Sequence, residues 1–142
     1  MTAQEARKTG QPKDWTAAME ISRGSAAAVA PLLRLTRDLD RWGNLFLEVA
    51  RTKEAPVVDQ VLGGLVEWLG GDLLDGWLRR PIPHFEELSG LAEELFRACQ
   101  AYLDWMRQAP RPLSAEGRRL HEDHIGSVLG RVNALSARAV GG

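Results

Sequence analysis

The sequence predicts an all-α fold, an antiparallel bundle of about four long helices, and three observations lead to this prediction. Prolines divide the chain, because proline lacks the backbone N–H and clashes with the preceding helical turn. The long proline-free stretches are residues 32–55, 57–80, 84–109 and 113–142. Apolar residues recur within them at intervals of three and four, which indicates helices. No stretch shows the apolar–polar alternation with β-branched residues that is typical of a strand.

The N-terminal part of the chain differs from the rest. Residues 1–13 are polar and show no apolar periodicity, so we expect a flexible tail before a single bundle domain of residues 14–142. Asp14 belongs to the residue types that cap helices, and a short N-terminal helix is predicted to follow it. Pro31 then either kinks a continuous helix or separates two helices, and the sequence leaves both arrangements open.

Three of the four long stretches carry an apolar stripe at heptad spacing, which predicts one buried face for each helix. The stripes consist of Leu32, Leu35, Leu39, Trp42, Phe46 and Val49; of Leu88, Ala92, Leu95, Cys99, Tyr102 and Met106; and of Ile125, Val128, Val132, Leu135 and Ala139. Ser114 stands before the last stretch and is a favoured N-cap residue, so we expect the last helix to begin there.

The stretch 57–80 has an unusual pattern of glycines, in two Leu-Gly-Gly triplets that lie seven residues apart. The two pairs are Gly63 with Gly64 and Gly70 with Gly71. A glycine inside a helix costs about 1 kcal/mol relative to alanine, so these glycines require an explanation. One explanation is a close crossing with another helix. The other is a break at the second pair, with Asp72 capping a short second helix.

The same stretch carries more apolar surface than one helix face can bury. Apolar residues cover more than one side of residues 57–78, and Trp68 and Trp77 lie among them. A helix of this kind is either central in its own fold or covered by a partner. Because tryptophan is enriched among the residues that dominate interfaces, we predict a contact with another protein chain at Trp68, Trp77 and the four glycines. The alternative, that all the tryptophans belong to the internal core, stays open.

Charge is distributed unevenly along the chain. Lys and Arg outnumber Asp and Glu by nine to six in residues 1–53 and by five to three in residues 111–142, whereas residues 54–110 hold four against ten. The net charge of −1 therefore conceals an acidic centre between two basic ends. This pattern is compatible with complementary packing inside a bundle, and equally with separate surfaces for different partners.

A helical subunit of a nucleoprotein complex is an alternative function, because clustered arginines can contact phosphates. The residues concerned are Arg34, Arg37 and Arg41 on one predicted helix face, together with the pair Arg118 and Arg119. Asp38 and Asp40 stand at helical spacing from the first three arginines, and local ion pairs with them would absorb much of the charge. We therefore expect this face to be an ordinary solvated surface.

A metal- or hydrophobic-ligand-binding site inside the bundle is the second alternative. His121 and His124 can share a helix face, and His84 is the remaining histidine. A zinc site needs three or four ligands with set geometry, and no third ligand can be identified. We therefore interpret residues 118–124 as a polar surface turn, and we expect neither a metal nor a cofactor.

The composition indicates the class of protein and its compartment. A single cysteine, Cys99, excludes an intramolecular disulfide and is typical of a reducing compartment. Because Cys99 lies on an apolar stripe, we interpret it as a small buried residue rather than a nucleophile. The first residues lack the apolar core of a secretory signal, and no apolar run approaches the roughly 20 residues that span a bilayer, so we expect a cytoplasmic protein. Arginine outnumbers lysine by 15 to 3, which is typical of a GC-rich bacterial genome.

No catalytic motif emerges from the sequence. It contains neither a phosphate-binding glycine loop nor a defensible Ser-His-Asp arrangement. Glu93 and Glu94 are adjacent, so on a helix they point in different directions and do not form a catalytic pair. We therefore predict a non-enzymatic helical interaction or assembly subunit, which acts as a homo-oligomer or within a larger complex and whose partner is another protein chain.

Overall fold

The computed structural model describes residues 13–79 and 82–141, with the side chains of residues 13–28, Trp77 and Arg79 outside the described part. Its elements are α1 (Lys13–Thr52), α2 (Ala55–Trp68), a π-helical turn that we call the π segment (Leu69–Leu73), α3 (Leu74–Arg79), α4 (Phe85–Gln108) and α5 (Ala115–Gly141). Every element of this described part is helical, which confirms the predicted all-α fold. No helix within it is long and apolar enough to cross a lipid bilayer.

The helices form an antiparallel bundle in which α2, the π segment and α3 together occupy one of four positions. α1 packs against α2 and α5, and α4 packs against the same two helices, so α1 and α4 face each other across the core. Short connections join α1 to α2 and α4 to α5, and such connections place sequential helices side by side in opposite directions. The predicted bundle is confirmed.

The core consists of the apolar stripes that the sequence indicates. Leu32, Leu35, Leu39 and Phe46 of α1 are buried, as are all six stripe residues of α4 and Ile125, Val128, Val132 and Leu135 of α5. Trp42, Val49 and Ala139 are partly buried at the edge of this core. Burying a side chain the size of leucine or phenylalanine contributes roughly 1.5–3 kcal/mol, so these stripes supply the main driving force for folding.

α1 is one continuous helix that contains Pro31. Of the two arrangements left open, the separation into two helices is therefore excluded, and the predicted short N-terminal helix is the first part of α1. Asp14 lies in the first turn of α1 rather than before it. The predicted tail covers residues 1–13, and all of these except Lys13 lie outside the described residues.

α1 extends beyond the helices against which it packs. Asp40 accepts a hydrogen bond from the side-chain amide of Asn133 in α5 (3.1 Å), and α5 ends eight residues beyond Asn133. On the other side of α1, Gly76 of α3 lies against Leu35, three residues before α3 ends. Both antiparallel neighbours therefore end at the level of about residue 32 in α1. Residues 13–31, which we call the α1 extension, continue past this level by about 28 Å at about 1.5 Å per residue.

The predicted break at the second glycine pair is absent. Between α2 and α3 the backbone stays in the right-handed helical region, with φ −61° and ψ −43° at Leu69 and φ −63° and ψ −39° at Leu74. The π segment between them has i→i+5 hydrogen bonding and therefore a wider turn than an α-helix. Asp72 lies inside this turn and caps no helix. The helix is widened rather than interrupted, and π-helical turns occur frequently at functional sites.

A close helix crossing explains one of the four glycines. A β-carbon on Gly64 would lie 2.6 Å from Cη2 of Trp42, so glycine is required for α1 and α2 to approach this closely. A β-carbon on Gly63, Gly70 or Gly71 would meet nothing within 4 Å in the described part of the chain. Packing within the chain therefore does not require these three glycines, all of which are exposed.

α5 begins after Ser114, as predicted. The backbone N–H of Gly117 donates to Ser114 Oγ at 3.0 Å, which is the hydrogen bond of an N-cap residue. Gly117 also lies directly against Trp105, because a β-carbon there would be 2.5 Å from Cζ2 of the indole. These contacts hold the start of α5 against the end of α4.

Candidate functional site

A cleft with a volume of about 460 Å³ opens between the π segment and the first turns of α4. It is lined by Leu69, Leu73, Leu74, Phe85, Ser89 and Gly90. We call it the π-segment cleft. Leu73 and Phe85 are almost fully buried and form an apolar floor, while Ser89 and the exposed Gly90 lie on the α4 side. The volume falls in the range of about 300–1,000 Å³ that is typical of binding pockets.

Exposed apolar side chains continue from this cleft along the outside of α2 and α3. Leu78 is 71% exposed, and Val66 and Leu74 are each 47% exposed. Together with the exposed Gly70 they stand four residues apart, so they follow one side of the helical backbone. We call these four residues the outer stripe. Single exposed apolar residues are ordinary, whereas a contiguous set beside a cleft is typical of interaction sites.

The two tryptophans of the predicted interface have different outcomes. Trp68 is 6% exposed and belongs to the core, where its indole N–H donates to a carboxylate oxygen of Asp38 at 3.4 Å. Trp68 is therefore an internal core residue, which is the alternative that the sequence left open. The side chain of Trp77 lies outside the described residues.

The four glycines of the predicted interface also differ in their surroundings. Gly64 lies against Trp42 of its own chain and is only partly exposed. Gly70 belongs to the outer stripe, and Gly63 and Gly71 are exposed near it. These three glycines leave space where a side chain would otherwise stand, since a β-carbon on each would meet nothing within 4 Å in the described chain.

The acidic residues at the start of α4 divide between two faces. The ion pairs are Glu87 with Arg138 and Glu94 with Arg131, both between α4 and α5, and Glu93 with Arg97 within α4. Glu86 and Glu93 stand at the rim of the π-segment cleft. Glu86 forms no ion pair with any described side chain. The cleft therefore combines an apolar floor with a negatively charged rim.

A polar network lies at the opposite end of the bundle, where three helices meet. Arg118 Nη1 donates to the carbonyl oxygen of Ala50 (2.7 Å) and to the hydroxyl of Tyr102 (2.9 Å). The Tyr102 hydroxyl donates to Oε2 of Glu122 (3.3 Å), which also accepts from Nε of Arg51 (2.9 Å). Burial raises the pKa of the Tyr102 phenol above its ordinary value. The network joins α1, α4 and α5 and has the character of a structural contact.

Residues 118–124, interpreted from the sequence as a polar surface turn, lie in the first turns of α5 and are exposed or partly exposed there. The ring of His121 stacks on Tyr102 at a centroid distance of 5.3 Å and an interplanar angle of 10°, and it also contacts Trp105. Burial lowers the pKa of His121, and the neighbouring His124 lowers it further.

The three histidines do not converge on one point. His84 immediately precedes α4, whereas His121 lies against Tyr102, about 27 Å further along that helix at about 1.5 Å per residue. His124 follows His121 on α5, so no third histidine ligand approaches this pair. Among the described residues, no group of three His, Cys, Asp or Glu side chains could hold a metal ion.

The arginines considered for phosphate contacts are placed differently from one another. Arg34, Arg37 and Arg41 are exposed on α1. The expected local ion pairs with Asp38 and Asp40 do not form among the described residues. Asp38 accepts a hydrogen bond from the indole N–H of Trp68, and Asp40 accepts one from the side-chain amide of Asn133. The three arginines form no ion pair with any described residue. Arg118 belongs to the polar network, and only Arg119 of that pair is exposed.

Cys99 is buried in the core. Burial raises the pKa of its thiol to about 12, and only the thiolate is nucleophilic. The thiol therefore remains protonated at neutral pH, and the interpretation of Cys99 as a small buried residue is confirmed.

The residues on the α4 side of the cleft were not predicted from the sequence. Gly90 lies inside α4, and a β-carbon on it would meet nothing within 4 Å in the described chain. A glycine inside a predicted helix could have indicated this side of the cleft, as the glycine pairs in residues 57–80 indicated the other side. Phe85 and Ser89 carry no comparable signal, because only the packing of α4 against the π segment brings them to the cleft.

No known protein family, characterised protein or solved structure matches this chain. The π-segment cleft, the outer stripe and the exposed arginines are thus the features from which a function can be inferred.

Proposed function

We propose that this protein is a non-enzymatic helical assembly subunit that binds another protein chain through the π-segment cleft and the outer stripe. The observation that carries the proposal is the continuity between the apolar floor of the cleft and the exposed side chains of Val66, Leu74 and Leu78. Removing apolar surface from water favours association by about 25 cal/mol per Å². A groove with such a floor suits a partner helix, whose apolar face can lie along it.

The shape of the surface supports the same proposal. The π segment is a wider turn than those of α2 and α3, and the cleft lies where this turn faces α4. Gly90 lines the cleft on the α4 side, and Gly70 follows Leu69, which lines it on the other side. A β-carbon on either glycine would meet nothing within 4 Å in the described chain. Small residues at an interface let two helix backbones approach closely, as they do where helices cross within a protein.

A matched pair of substitutions tests the proposal. Leu78→Asp places a charge on the outer stripe, and we expect it to dissociate the assembly without loss of helicity, because Leu78 is 71% exposed. Leu120→Asp is the control, since Leu120 is 67% exposed on α5 and lies outside the proposed surface. Size-exclusion chromatography with light scattering gives the mass, and circular dichroism gives the helicity. If Leu78→Asp assembles like the control, the outer stripe is not the interface.

A second candidate is contact with nucleic acid through the arginine face of α1. It is favoured by the exposure of Arg34, Arg37 and Arg41 and by the absence of ion pairs between them and any described residue. Phosphate contacts make binding fall steeply as salt rises. Nucleic-acid absorbance in the same chromatography, at low and high salt, tests this candidate. A protein peak free of nucleic acid at low salt argues against it.

A further inference from the structure

The α1 extension continues past the ends of the two helices that run antiparallel to α1. Residues 13–31 continue beyond the level at which α3 and α5 end, so neither antiparallel neighbour of α1 runs beside them. A single helix shorter than about 12–15 residues is marginal in water, and longer ones gain most of their stability from tertiary packing. Packing against a further surface would therefore stabilise the extension.

The π-segment cleft opens at the end of the bundle from which this extension leaves. Gly76 of α3 lies against Leu35 of α1, and Phe85, which lines the cleft, is the first residue of α4. Leu69, Leu73 and Leu74 of the cleft lie between Trp68, which contacts Asp38, and Gly76, so the cleft is level with about residues 35–38 of α1, just inside the end of the bundle. An element that enters from this end of the bundle reaches the cleft first.

The extension cannot reach the cleft of its own chain while α1 remains one helix. α1 continues through Pro31 without interruption. Residues 13–31 therefore point away from their own bundle and from its cleft. A second copy placed end to end, and turned by a two-fold axis, brings its cleft beside the extension. The extension is long enough for this contact, because it covers about 28 Å and the outer stripe from Val66 to Leu78 covers about 18 Å, at about 1.5 Å per residue.

We infer that the chain forms a two-fold symmetric dimer in which the α1 extension of each copy occupies the π-segment cleft of the other. This inference rests on the proposed function and names its partner as a second copy of the chain. A two-fold axis makes the contact reciprocal, so both extensions and both clefts are used and the assembly closes at two copies.

The sequence of the extension suits an apolar contact. It holds two basic and two acidic residues, Lys13, Arg23, Asp14 and Glu20, and is otherwise apolar or small, with alanines at 17, 18, 26, 27, 28 and 30. Because its formal charge is balanced, its attraction to the acidic rim is small and the dimer persists when the salt concentration is raised. Because alanine and glycine are small, a helix of this composition can pack at a short distance from the helices that carry Gly70 and Gly90.

Two variants, each of which should abolish the dimer, test the inference in the full-length chain. Gly90→Glu introduces a charged side chain on the α4 side of the cleft, at a position where a β-carbon meets nothing within 4 Å in the described chain. Gly130→Glu makes the same change at an exposed position of α5 where a β-carbon is equally free. Met19→Asp combined with Ala26→Asp places charges on the extension. We expect the cleft variant and the extension variant to raise the dissociation constant of the dimer at least tenfold, and Gly130→Glu to leave it unchanged.

Mixing the two defective variants provides the decisive measurement. A heterodimer of Gly90→Glu with the extension variant contains one intact extension in one intact cleft, whereas neither homodimer contains any. Sedimentation velocity should therefore show a dimer in the mixture and monomers in each variant alone. Failure of the mixture to dimerise, or a cleft variant that dimerises like the wild type, overturns the inference.

The outcomes separate the inference from the proposed function. If the wild type assembles and Leu78→Asp disrupts it while the extension variant does not, the interaction surface stands and its occupant is not the extension. If the wild type is a monomer whose extension is protected from hydrogen exchange, the extension packs on its own chain and the dimer is excluded. If the wild type is a monomer with an unprotected extension, a second copy is not the partner.

Discussion

At the scale of single residues, Arg118 shows how a charged side chain can serve the fold. Its guanidinium donates to the Ala50 carbonyl and the Tyr102 hydroxyl, which belong to different helices. Ala50 lies near the end of α1, where the last four carbonyls have no partner within the helix. Arg118 and Arg119 look equivalent in the sequence, and only the rotation of α5 about its own axis makes one of them structural.

We expect Arg118→Met to lower the free energy of unfolding by about 1–3 kcal/mol, because it leaves a partly buried carbonyl and hydroxyl without their donor. Arg119→Met is the matched control and should change this free energy by less than about 0.5 kcal/mol, as is usual for an exposed residue. Urea denaturation followed by circular dichroism measures both. Equal small effects would show that the network contributes little to stability.

Cys99 leads to a prediction about alkaline pH. Burial raises the pKa of its thiol from 9.0 to about 12, so the unfolded chain loses this proton at lower pH than the folded chain. The stabilisation is complete below about pH 9 and is lost as pH rises toward 12, so the free energy of unfolding should fall across this window. Cys99→Ala should make that decline shallower, although Tyr102 still contributes in the same direction. A decline of unchanged slope would contradict this assignment.

At the scale of elements, heptad stripes predicted the helices well, and the glycine-rich stretch was predicted least well. The stripe residues of α4 are all buried, because a 3.6-residue period places them on one face whatever the neighbours are. The π segment has no such local signature. It depends on how α2 and α3 must both pack against α1, with Trp68 and Gly76 each held by a contact on that helix.

The first glycine pair provides a test within a single helix. Gly63→Ala should raise the free energy of unfolding by about 1 kcal/mol, because alanine favours the helix and its β-carbon meets nothing within 4 Å in the described chain. Gly64→Ala should lower it by about 1–3 kcal/mol, because the new β-carbon would lie 2.6 Å from Trp42. Urea denaturation at one protein concentration compares the two. Effects of the same sign would contradict the close crossing of α1 and α2.

At the scale of the whole molecule, ion pairs between helices partly balance the uneven charge of the sequence. Among the described side chains, the ion pairs between helices are Arg131 with Glu94, Arg138 with Glu87, Arg107 with Asp59 and Arg51 with Glu122. The first two join the acidic centre of the chain to its basic C-terminal part, as complementary packing predicts. All four lie at the surface, where ion pairs add little to stability. Apolar burial, rather than charge, therefore determines the fold.

The dimer leads to a prediction for the stability of the whole molecule. If association is coupled to folding, a tenfold increase in protein concentration stabilises the folded dimer by about 1.4 kcal/mol. The midpoint of thermal unfolding should therefore rise with protein concentration in the wild type and in Gly130→Glu. It should be independent of concentration in Gly90→Glu. Calorimetry over a hundredfold concentration range measures this, and a midpoint that is constant in the wild type would contradict a coupled dimer.

The sequence by itself determined the helical class, the buried faces of α1, α4 and α5, the cap at Ser114 and the burial of Cys99. These features follow from local period, capping chemistry and hydrophobicity, which act within a few turns of one helix. Only the tertiary structure decided that Trp68 is internal, that Gly64 lies at a helix crossing and that Gly90 lies in a cleft. It also decided that Arg118 belongs to a network and that α1 continues beyond its neighbours. Each of these depends on the rotation and register of one helix against another, which arise from contacts between residues far apart in the chain.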